Sequence, residues 1–129
     1  MIVGGRIDAV EGKKNKDEQI KGLSINISLD DVRVKGEDVE IVYTYTADYA
    51  EGVGQLKIKG TLFAKEDKKQ AKELADAWKK DKKVPQDYAN GLLTTINYSG
   101  SANGTLVARV VNLSPPLVPP RLQLGTKKK

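Results

Sequence analysis

Few residues in this chain could carry chemistry, and their surroundings limit what that chemistry would be. Asp30 and Asp31 are adjacent carboxylates, and oxygen ligands of this kind suit Mg²⁺ or Ca²⁺. The plainer reading is a turn pair that caps backbone N–H groups. Ser99 and Ser101 lie among glycines, with no histidine to activate them and no strand-turn-helix elbow around them. Gly52-Val53-Gly54 lacks the third glycine and the following helix that a phosphate cradle needs, so it reads as a hairpin turn. Asn26-Ile27-Ser28, Asn97-Tyr98-Ser99 and Asn103-Gly104-Thr105 match the N-glycosylation acceptor pattern, which carries weight only behind a secretory leader. The chain has no cysteine and no histidine. Thiol nucleophiles, disulfides, imidazole bases and thiolate or imidazole metal sites are therefore excluded together. Carboxylates, lysines and tyrosines remain, in no catalytic constellation. The expectation is a protein that is not an enzyme and that uses no metal or cofactor.

Composition narrows the partners. The 129 residues are the size of one ordinary domain. The formal charge is +5, but Lys127, Lys128 and Lys129 supply three of those charges, which leaves about +2 for the rest. Only Arg6, Arg33, Arg109 and Arg121 are arginines, and nucleic-acid recognition favours the guanidinium fork. A nucleic-acid partner is not expected. Met1 opens no charged-then-apolar leader, and no run of eighteen apolar residues occurs, so a cytoplasmic protein without a membrane span is expected. Many lysines and glutamates with a single Met also suit a protein from a hot environment.

The elements that would position these groups follow from periodicity. Val3, Gly5, Ile7 and Ala9 alternate with Gly4, Arg6 and Asp8, giving a first strand that a polar loop from Glu11 to Gln19 ends. Leu23, Ile25, Ile27 and Leu29 alternate with Ser24, Asn26, Ser28 and Asp30, a second strand with one apolar face. After a turn at Lys35–Asp38, Val39, Ile41, Tyr43, Tyr45 and Ala47 mark a third and central strand. Leu56, Ile58, Gly60, Leu62 and Ala64 mark a fourth. A meander is the simplest order for these four antiparallel strands. At Lys65 the period changes to that of a helix: Ala71, Leu74, Ala75 and Trp78 share one face, and lysines and acids cover the other. Pro85 suits the first position of a second, long helix, with Asp87 favouring the positive end of its dipole. Tyr88, Leu92, Ile96, Leu106, Val107 and Val110 could form its apolar face. Its middle, Tyr98 to Gly104, is a poor helix former. The helix either breaks near Gly100 or is continuous, with Gly100 and Gly104 approaching the sheet or a second copy closely.

The fold expectation is thus α+β: a four-stranded antiparallel meander sheet, a short helix and a long C-terminal helix, in one domain over residues 1–124. A disordered Lys-rich tail would occupy 125–129. Leu113, Leu117, Val118, Leu122 and Leu124, spaced by prolines, would pack as a strap across the domain or face a partner. Trp78, Tyr43, Tyr45, Tyr49, Tyr88 and Tyr98 read as core or core-edge residues, or as the lining of a groove.

Two local patterns carry a resemblance. Val84-Pro85 followed by Tyr88-Ala89, then Leu113-Ser114-Pro115-Pro116, resembles the proline-led long helix and Leu-x-Pro-Pro ending of SecB-type export chaperones. Lys59-Gly60-Thr61-Leu62-Phe63-Ala64 is similar to the strand before that family's short helix. The resemblance spans nearly the whole chain. It implies an ATP-independent holdase that binds unfolded or extended polypeptides in apolar grooves and assembles as a homo-oligomer, dimer or tetramer, with long helices at the centre. By position, Trp78, Tyr88, Leu92, Ile96, Leu117 and Val118 would line the peptide groove. Lys57 and Lys59 depart from the acidic surface of members that dock on the secretion motor. The competing reading is a non-enzymatic interaction module whose proline-rich C-terminal segment docks on one dedicated partner.

Overall fold

The computed structural model describes residues 1–116. Four strands form one antiparallel sheet: β1 (Ile2–Lys14), β2 (Leu23–Lys35), β3 (Asp38–Tyr49) and β4 (Gly54–Lys65). Helices α1 (Lys68–Asp81) and α2 (Gln86–Val110) follow. The expected architecture of four antiparallel strands, then a short and a long helix, is the one observed.

The strand order corrects the meander. β2, β3 and β4 are neighbours as expected, but β1 lies beside β4, giving β1-β4-β3-β2. This is a Greek-key arrangement. The β1–β2 connection crosses the end of the sheet instead of turning back. The Asn15 N–H donates to the Val53 carbonyl at 2.8 Å, and the Ala50 N–H to the Gly22 carbonyl at 2.8 Å, so the crossing is tied to the β3–β4 turn. β1 is also longer than its apolar alternation suggests. Glu11 and Lys13 pair with Lys57 and Gln55 of β4, so cross-strand polar pairing carries the strand into the stretch expected to be loop.

Asp30 and Asp31 sit within β2 at a register shift between Leu29 and Asp31, which corrects the turn reading. The shift is a bulge that returns Val32 and Val34 to the face of Leu23 to Leu29. Asp31 Oδ1 accepts from the Val32 N–H at 2.9 Å, and Asp31 Oδ2 accepts from Arg33 Nε at 2.9 Å. Arg33 first, and then the backbone contact, hold its pKa below the usual carboxylate range. Asp30 accepts from Ser28 and Thr44 hydroxyls. These carboxylates are engaged within the sheet, and no metal-holding acidic cluster occurs among the described residues. The β2–β3 turn needs a positive φ at Gly36, which is +64°, a conformation glycine adopts without a side-chain penalty.

One sheet face is dry and the other meets water. Val39, Ile41, Tyr43, Tyr45, Ala47 and Tyr49 of β3 and Leu56, Ile58, Leu62 and Ala64 of β4 are buried together with residues of both helices. α1 lies over β2, and α2 over β4, β1 and β3. α1 buries Ala71, Leu74 and Trp78, as the spacing predicts. The Asp67 carboxylate caps it by accepting from the Gln70 N–H at 2.7 Å, and Lys82 ends it in the left-handed conformation.

α2 is continuous through its glycines. Pro85 is its N-cap residue, one position before the expected one. Its buried row is Leu92, Ile96, Gly100, Gly104 and Ala108, a strict i+4 ridge inclined to the helix axis. The helix therefore crosses the sheet obliquely. Leu106 and Val110, expected on the buried face, are 62% and 84% exposed. Of the two partners left open for Gly100, the one observed is the sheet: a Cβ there would overlap the Tyr45 ring.

Candidate functional site

Two clefts flank α2, and each arises where small or polar residues replace packing. The first, about 210 Å³, is lined by Met1, Ile2, Glu66, Asp87, Tyr88, Gly91 and Leu92. It lies where β1, the end of β4 and the first turns of α2 meet. The Tyr88 hydroxyl donates to Glu66 Oε2 at 2.7 Å, and the α-amino group of Met1 reaches the same carboxylate and donates to the Lys65 carbonyl at 2.9 Å. Burial, then the hydrogen bond and charge of Glu66, push the Tyr88 hydroxyl well above its ordinary pKa. Tyr88 is thus a neutral donor that fixes Glu66 at physiological pH.

The second cleft, about 390 Å³, runs between β1 and the middle of α2. Ile2, Gly4, Gly5, Arg6 and Ile7 form the strand side, Tyr43 and Leu62 the floor, and Thr95, Ser99 and Asn103 the helix side. Glycine explains the gap. A Cβ at Gly5 would meet Leu62 Cδ2 at 3.1 Å and the Thr61 carbonyl at 3.3 Å, both on the neighbouring strand. A Cβ at Gly12 would instead come within 2.7 Å of Val107 Cγ1. The helix therefore touches the far end of β1 and stands off from its glycine-rich start.

The expected groove residues divide. Tyr88 and Leu92 meet at the 210 Å³ cleft, although Leu92 is itself buried. Trp78 and Ile96 belong to the core. Trp78 packs α1 on the sheet, with the Lys82 ammonium 5.7 Å from its ring centre. Leu117 and Val118 lie outside the described residues, as do the 125–129 tail and most of the proline-rich segment.

The first part of that segment is packed as a strap. Leu113 is buried and comes close to Gly54, and Pro116 closes on Gly104, where a Cβ would lie 2.7 Å from Pro116 Cγ. The Tyr49 hydroxyl donates to the Ser114 carbonyl. Burial pushes the Tyr49 hydroxyl up to about 12, with the nearby Tyr45 adding to the effect. The Tyr45 hydroxyl is buried without a hydrogen-bond partner among the described residues. Its pKa is raised by burial, an effect that Ser101 partly offsets.

Sequence reasoning missed an apolar and uncharged surface. α2 has two charged residues in its 25, Asp87 and Arg109, and it exposes Leu93, Tyr98, Leu106 and Val110. β1 exposes Val3, Ile7 and Val10. Ile7 and Val10 pair with Gly60 and Ile58, on the same side of the sheet as α2. The signal was the scarcity of charge along α2. By contrast, the water-facing side of the sheet mixes signs: Arg6 Nε donates to Asp8 Oδ1 at 2.6 Å, beside Lys57, Lys59 and Glu11. No described helix is long and apolar enough to cross a membrane. Compared with protein-family models, curated proteins and solved structures, the chain gives no match to any of the three.

Proposed function

We propose that this chain is a SecB-like, non-enzymatic holdase of the cytoplasm that binds unfolded or extended polypeptides without ATP and works as a homo-oligomer. The observation that carries the reading is the outer surface of α2 with the adjoining part of β1. The described residues bury a core of their own, yet they leave Leu106 and Val110 of α2 and Ile7 and Val10 of β1 exposed. Exposed apolar groups mark interaction surfaces where they form one patch. The order of four antiparallel strands, short helix, Pro85, long helix and Leu113-Ser114-Pro115-Pro116 supports the family likeness. A client would gain roughly 25 cal/mol for each Å² of apolar area removed from water, with no covalent chemistry required. Of the groove candidates among the described residues, Tyr88 and Leu92 line the 210 Å³ cleft, which supports their place in a client site. The alternative, a protruding proline-rich docking segment, is disfavoured for residues 113–116 by the burial of Leu113 and Pro116.

The test is light scattering of a chemically unfolded client diluted into buffer with and without the protein, nucleotide-free and at matched ionic strength. Suppressed aggregation near a stoichiometric ratio is expected. No suppression across several clients would sink the holdase reading and move the function to one dedicated partner.

A further inference from the structure

The 390 Å³ cleft has a repeating polar wall. Thr95, Ser99 and Asn103 lie four residues apart on α2, about 6 Å along the helix axis. An extended polypeptide repeats every two residues, about 6.6 Å, so successive groups of this row meet equivalent positions on such a chain. Their free capacities alternate. The Thr95 hydroxyl donates to the Gly91 carbonyl at 3.1 Å and keeps lone pairs to accept. Ser99 Oγ accepts from Asn103 Nδ2 at 3.2 Å and keeps its proton to donate. Asn103 spends its Nδ2 on Ser99 and keeps a carbonyl oxygen to accept. Each residue on one edge of an extended chain presents both an N–H and a C=O, so every step of its repeat can answer either an acceptor or a donor of this row.

The other walls fit the same occupant. Ile2, Ile7, Leu62 and the Tyr43 ring offer apolar contact, and Gly4 and Gly5 keep the strand wall low. Arg6 is the one charged residue of the lining. Its guanidinium lies 5.3 Å from the Phe63 ring centre and is paired with Asp8, on the opposite sheet face. The cleft is therefore uncharged and rich in hydrogen-bonding groups at the spacing of an extended chain.

We propose that this cleft seats an extended, uncharged stretch of client polypeptide along β1, its backbone read by Thr95, Ser99 and Asn103. The inference rests on the holdase reading and assigns it a seat distinct from the Tyr88–Leu92 opening.

The experiment measures fluorescence anisotropy of a labelled ten-residue uncharged peptide and of a permanently unfolded client. It compares the wild-type chain, the double variant Ser99→Leu/Asn103→Leu, and the control Lys72→Leu on the exposed side of α1. Thermal melts verify that each variant folds. The double variant should bind both probes at least about tenfold more weakly, roughly the loss of one or two net hydrogen bonds, with the control unchanged. A benzophenone-bearing peptide on the wild-type chain gives a variant-free readout and should cross-link within residues 2–7 or 95–103. Unchanged affinity in a folded double variant, or cross-links confined elsewhere, overturns the seat and leaves the holdase standing. If the double variant changes only the molar mass, the cleft is a contact between copies and the proposal falls. If the wild-type chain binds neither probe, the holdase reading and the seat fall together.

Discussion

The two helices lie on one sheet but are built for different surroundings. α1 carries eight charged residues in 14, has a side-chain N-cap and a left-handed C-cap, and buries one compact face through Trp78. Such a helix is complete once it meets the sheet, because its other side belongs in water. α2 carries two charged residues in 25 and lacks a side-chain cap, and it holds the sheet through a ridge that includes two glycines. Its outward face combines small uncharged residues with exposed Leu93, Tyr98, Leu106 and Val110. The difference teaches that the charged outer side of α1 suits water, whereas α2 leaves an uncharged and partly apolar side open among the described residues.

Substitutions can break or sharpen this contrast, and the largest effect is expected where α1 is anchored. Trp78→Ala should cost about 3–5 kcal/mol, measured by denaturant unfolding, because it empties the contact that seats α1. Second comes Gly100→Ala. The new methyl overlaps the Tyr45 ring, an overpacking cost of about 1–3 kcal/mol, against about 1 kcal/mol gained in helix propensity. A net loss is expected, and a gain would mean that α2 is not pressed on the sheet at this point. Gly91→Ala is the matched opposite on the same helix. Nothing lies within 4 Å of a Cβ there, so stability should rise by about 0.5–1 kcal/mol.

The strap beside α2 has its own probe in alkali. Folded Tyr49 holds its proton to about 12, whereas a free tyrosine releases it near 10. Between these values the folded state binds more protons than the unfolded state, so stability falls as pH rises through that window and is flat below it. Tyr49→Phe should make this decline shallower, with Tyr45 and Tyr88 keeping their own part of it, while losing about 1 kcal/mol at neutral pH, because Ser114 loses its donor. An undiminished alkaline slope in the variant would place the titration elsewhere. The smallest stability effect is expected for Leu106→Lys/Val110→Lys, within about 0.5 kcal/mol for surface positions. The same pair should lower the molar mass if α2 meets another copy, and an unchanged mass with weakened client binding would assign that face to clients.

Much of the fold was legible because it is local. The alternation in β2, β3 and β4 and the spacing of Ala71, Leu74 and Trp78 each report one buried face, and those faces are where expected. The place of β1 was not legible, since the choice of β4 over β2 depends on distant pairs such as Ile2 with Ala64. The face of α2 was misread for a different reason. Gly100 and Gly104 carry no apolar signal, yet they are its closest contacts, while the apolar Leu106 and Val110 stay outside. The clefts were illegible because they are made by what is small or missing, as at Gly5. Within the groove candidates, periodicity could not separate Ile96, which fills the core, from Tyr88, which stands at its margin.

The pairing of the first strand with the fourth also sets a schedule. As the chain leaves the ribosome, β1 emerges first, but its partner β4 follows only some fifty residues later, after β2 and β3. Closing so long a loop is slow compared with forming the local β2–β3–β4 hairpins. During synthesis the first thirteen-residue strand must therefore wait unpaired, and a nascent copy passes through an interval in which it is itself an extended polypeptide of the kind a holdase would capture.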